Sequence, residues 1–168
     1  MMARFKVSSV LPSDFTLHPH CKGLIAQMNL RYEVSRLACK VLVFDTRQNM
    51  LAFAAALGSI NPKRTNALVH TLHYEVVKIA PDGKETTVEM IDGRYFAVAM
   101  FHKRALFDFV IAHECVHIAY ALYRRAEKKF RGNIFDFDEE RIAYPAGDFT
   151  ATLCRWLLRK GLIGSKAC

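Results

Sequence analysis

The residues best suited to chemistry are His113-Glu114-Cys115-Val116-His117, an HExxH sequence. No Gly or Pro interrupts Arg104–Arg131 around it, so the stretch reads as one long helix. Within it Leu106, Phe109, Val110, His113, Val116, His117 and Tyr120 recur at helical spacing. Positions four apart on a helix differ by about 40°, so the two imidazoles project side by side. Two such nitrogens can hold one Zn2+ at about 2.0–2.1 Å each. Glu114 points about 100° away from His113, beside the metal, where it can take a proton from a metal-bound water. In a chain with 7 histidines, the number of HExxH matches expected by chance is about 0.01.

A third ligand is narrowed by elimination. No histidine follows His117, and the position six residues on is Tyr123. Glu127 lies about 15 Å further along the same helix, too far for a common ion. A carboxylate at the start of the next helix remains, where Asp138-Glu139-Glu140 stands. Ala143, Gly147, Ala151 and Cys154 form a stripe of small residues that lets that helix approach closely. Glu139 and Glu140 sit on opposite margins of the stripe by similar angles, and phasing does not choose between them.

His113–His117 followed by Glu139-Glu140-Arg141-Ile142-Ala143-Tyr144, with Gly147 and Thr150 beyond, resembles the zincin-like metallopeptidases. The resemblance extends over residues 94–155 and is nearest to the glutamate-ligand branch, the gluzincins, and to short single-domain members encoded by phages and bacteria. It implies a Zn2+ held by His113, His117 and Glu140, because the small residue Ala143 stands three places after Glu140. It further implies a peptidase acting on protein or peptide, and Arg94–Phe101 as the edge strand along which a substrate lies. Pro145 departs from the pattern and should kink the second helix. Tyr144, about 40° around from Glu140, is a candidate to stabilise an oxyanion.

The elements that must position these groups read as α+β, a small antiparallel sheet packed on two long helices in a zincin-like domain over residues 1–168. Ala3–Ser8 is a short strand candidate, Leu24–Val34 a helix, and Leu37–Phe44 a buried strand. Asp45 or Thr46 caps a helix running to Leu57. Leu68–Ile79, Thr86–Ile91 and Tyr95–Phe101 read as antiparallel strands, with turns at Pro81-Asp82-Gly83-Lys84 and Asp92-Gly93. The second long helix is expected over Asp138–Lys160. Phe101, Phe107 and Phe109 read as core.

The 168 residues suit one domain, and the hydrophobic content of 52% excludes disorder. No apolar run reaches the roughly 18–20 residues of a membrane span. The 5 cysteines are scattered without a CxxC pair, which points to reduced thiols and a cytoplasmic address, a host's if the gene is viral. A net charge of +8 admits nucleic acid as a partner. The alternative to a hydrolase is accordingly a zincin-like binding or inhibitory module, directed at nucleic acid or a host defence protein.

Overall fold

Gly23, at φ +70°, turns the chain into β1 (Leu24–Arg31). A computed structural model describes residues 21–32, 37–57, 65–72, 74–79, 85–90, 95–129 and 139–164; the strand expected at Ala3–Ser8 lies outside them. Of the segment expected to be a helix over Leu24–Val34, Leu24–Arg31 is a strand, and residues 33–34 lie outside the described residues. Ala26, Met28 and Leu30 alternate toward one core, and β1 pairs antiparallel with β2 (Ala38–Phe44), with an irregularity between Leu24 and Ala26. For so short a stretch, pairing with a long-range partner decides between the periods.

β2 is buried at every position and divides its side chains between two cores. Cys39, Val41 and Val43 enter one, Leu42 and Phe44 the other. The helix α1 (Arg47–Ala56) follows at once, as the sequence suggests. Its N-cap is Thr46, whose hydroxyl accepts from the Asn49 N–H at 3.2 Å. Asp45 accepts from the Thr46 N–H and the Asn49 amide, which holds its carboxyl below the ordinary range, the Asn49 bond first.

The region expected to form three consecutive antiparallel strands is divided. Leu68–Ile79 is two strands, β3 (Ala67–Thr71) and β4 (Tyr74–Ile79). Among the described residues β4 pairs only with β5 (Glu85–Met90), as a separate two-stranded sheet. β6 (Tyr95–His102) runs parallel to β2 and antiparallel to β3, giving a four-stranded order β1-β2-β6-β3. The main sheet is therefore mixed, not antiparallel. β6 is an interior strand, not the edge, as its seven consecutive buried residues after Tyr95 require. The edge beside it is β3.

A 3-10 turn at Lys103–Ala105 leads into α2 (Asp108–Lys129), and α3 (Glu140–Arg159) packs against it. Three helices, not two, flank the sheet. α1 covers one face through Met50, Phe53 and Leu57, and α2 and α3 cover the other through Ile111, Cys115, Ile118, Phe149 and Leu153. Among the described residues no helix is long and apolar enough to cross a membrane. Cys39 and Cys115 are free and buried, and Cys21 is half-buried; Cys154, expected as a thiol, is disulfide-bonded.

Candidate metal centre and its cavity

The buried stripe of α2 is Ile111, Cys115, Ile118 and Ala119. Cys115 is tied by hydrogen bond to the Thr150 side chain of α3, and burial pushes its thiol up to about 11. The cysteine between the motif residues is therefore an inert core group. About 160° around the helix from Cys115, His113 and His117 reach solvent. Their Nε2 atoms stand 3.1 Å apart and their rings meet edge to face at 78°.

That separation is a hydrogen bond between the two rings, and it is also compatible with a shared ion. With metal–nitrogen bonds of about 2.05 Å, nitrogens 3.1 Å apart subtend about 98° at the metal, close to the tetrahedral angle. Glu114, between them in sequence, is only 7% exposed. Burial pushes its carboxyl above the ordinary range, while the charge of His113 pulls the other way. His117 is held below the ordinary imidazole range, first by loss of hydration and then by repulsion from His113.

These three side chains line one cavity of about 600 Å³ together with Phe109 and Val110 of α2. Its opposite wall is residues 65–69, the start of β3 and the two residues before it. Sequence reading missed this wall, because it placed the edge strand at 94–101.

Glu140 is not brought to the histidines. It lies with Tyr32, Arg141, Tyr144 and Pro145 in a separate cleft of about 370 Å³. Cys115 of α2 lies beside Thr150 of α3, which marks how the two helices are offset. Ten residues of α3, about 15 Å, separate Thr150 from Glu140, while His117 lies only two residues, about 3 Å, past Cys115. Glu140 is therefore displaced from His117 by about 12 Å or more along the helix axes. Tyr144 is exposed in the same cleft, away from the histidines, and Asp148 is exposed. Glu139 stands at the N-cap of α3. Among the described residues no three His, Cys, Asp or Glu side chains come together as a metal group.

No protein-family model matches the chain, and neither the curated proteins nor the solved structures yield a match.

Proposed function

We propose that the protein is a zinc-dependent hydrolase whose substrate is a polypeptide. The observation that carries this reading is the pair of imidazole nitrogens 3.1 Å apart beside a buried glutamate, in a cavity walled by an edge strand. His113 and His117 are the residues that would hold the ion, and their spacing fits it. Glu140 is the further carboxylate that the zincin-like resemblance offers, with Glu139 beside it. Bound there, zinc supplies Lewis acidity, which polarises a carbonyl and brings the pKa of water to about 7.

The chain's own groups supply the remainder. Glu114 accepts a proton from the attacking water and delivers it to the departing amine. Burial raises its proton affinity above that of an ordinary carboxylate, which favours its accepting a proton. The outer edge of β3 offers backbone N–H and C=O groups to an extended substrate, in the manner of strand addition.

Metal content by mass spectrometry tests the assignment. The purified chain is expected to carry one zinc ion, lost in His113→Ala and in His117→Ala and kept in Glu140→Ala, whose side chain lies in a separate cleft. Loss in Glu140→Ala or in Glu139→Ala would return the third ligand to the start of α3. Zinc retained in His113→Ala contradicts the site.

A second reading draws on the net charge of +8 and on the separation of Glu140 from the histidines. In it the chain is a binding or inhibitory module with little turnover. A Glu114→Gln variant that keeps every biological effect of the parent would favour it.

A further inference from the structure

α2 carries a second apolar stripe, and that stripe faces outward. Phe109, Val116 and Tyr120 lie about 100–140° around the helix from Cys115 and are all exposed. They occupy the same arc as His113 and His117. Phe109 is 69% exposed and Phe107 is 54% exposed, although both read as core in the sequence. Their rings stack with planes only 5° apart and centroids at 5.9 Å.

The fold does not need apolar residues at these positions. The Phe107 carbonyl accepts from the Ile111 N–H at 2.9 Å, which makes Phe107 the N-cap of α2. Small oxygen-bearing side chains are favoured there and phenylalanine is not. The capping role passes to Asp108, whose carboxylate accepts from the Phe109 N–H at 2.8 Å. Meanwhile Phe109 lines the cavity that holds His113, Glu114 and His117, one helical turn, about 6 Å, from His113.

We propose that Phe109, backed by Phe107, is a specificity-determining platform for an aromatic or large aliphatic side chain of a polypeptide substrate. The inference rests on the hydrolase reading above and gives it a substrate class. The occupant follows from the other wall of the same cavity. β3 is the outer strand of its sheet among the described residues, so its edge suits an extended chain. Extended residues advance about 3.3 Å each, so the 6 Å from Phe109 to His113 spans about two of them. The recognised side chain therefore lies within about two residues of the bond being cleaved. Stacked rings at a cavity mouth favour a further ring or a broad aliphatic group over a small or charged one.

The test uses the zinc-loaded full chain and a peptide pool in which each position in turn carries Phe or Gly. The parent is expected to favour Phe at one position by about tenfold or more in kcat/KM. Phe109→Ala should bring that ratio close to unity, and Phe109→Leu should restore most of it. Because the ring is exposed, the melting temperature of Phe109→Ala should match the parent's. Binding of the same peptides to Glu114→Gln, read by fluorescence anisotropy, separates this inference from the hydrolase reading. Phe-selective binding that Phe109→Ala removes, without hydrolysis by the parent, upholds the platform and overturns the hydrolase. Hydrolysis whose Phe/Gly ratio is unchanged in Phe109→Ala overturns the platform alone. No preference for Phe in hydrolysis or in binding also overturns it.

Discussion

Zinc should raise the thermal stability of this chain, and the size of the effect follows from how far its concentration exceeds its Kd. Nitrogens 3.1 Å apart on successive turns of α2 are already placed for a common ion. Unfolding α2 separates them, so the ion binds the native state in preference to the unfolded one. A ligand at a hundred times its Kd then stabilises by about 2.7 kcal/mol. For a domain of this length each kcal/mol is worth about 2–4 °C, so the melting temperature should rise by about 5–11 °C. The assay is a melt followed by circular dichroism with graded zinc, beside a chelator control. His117→Ala and His113→Ala should each abolish the rise, because one imidazole alone does not form the chelate. Glu114→Gln should keep it, since that carboxylate is not assigned to the ion. A rise of equal size in His117→Ala would refute the argument, as would the absence of any rise in the parent.

Three further outcomes concern the scaffold. Phe149 is fully buried where α3 meets Tyr32, edge to face at 6.0 Å, so Phe149→Ala should cost about 3–5 kcal/mol, read as a fall in the urea midpoint. Gly23→Ala should destabilise by about 1–2 kcal/mol or more, because φ is +70° and a Cβ there would overlap the Asp45 carboxylate and the Asn49 amide; a variant as stable as the parent contradicts this. His102, 8% exposed with Nε2 unpartnered among the described residues, is held below the ordinary imidazole range, first by burial and then by Arg47 and Arg104. The unfolded chain therefore binds a proton that the native state refuses below about pH 6.5, so stability should fall as the pH drops from that value. His102→Gln should lose less stability than the parent between neutral and acid pH in urea titrations, and an equal loss would exclude His102 as the source.

The parts of the fold that were legible in the sequence are those determined locally. The β-branched and apolar run Leu37–Phe44 can be little other than a buried strand, and it is β2. Thr46 before an Ala-rich stretch carries its own helix start. What was not legible depends on partners distant in sequence. β6 lies inside the sheet between β2 and β3; its unbroken apolar run signals burial on both faces, but which strands flank it is decided by partners distant in sequence. Phe109 belongs to an apolar stripe whose spacing is helical, yet Ile111, Cys115 and Ile118 form a competing stripe and win the core. Spacing reports that a helix has an apolar face; which of two faces is buried is decided by the sheet. The third ligand failed for a similar reason. Residue counting brings Glu140 back toward the HExxH helix, but α3 packs on α2 through Phe149 and Leu153 beside Cys115 and Ile118, and Glu140 falls in another cleft.

The most direct test of the proposed hydrolase is turnover itself. The zinc-loaded chain and its Glu114→Gln variant, matched for zinc content and melting temperature, are incubated with an unfolded protein and the new amino termini are counted. The expected result is cleavage by the parent and a fall of about 10²–10⁴-fold in the variant. Equal cleavage by the two, or none by a parent that holds its zinc, would contradict the assignment of this cavity as a hydrolytic centre.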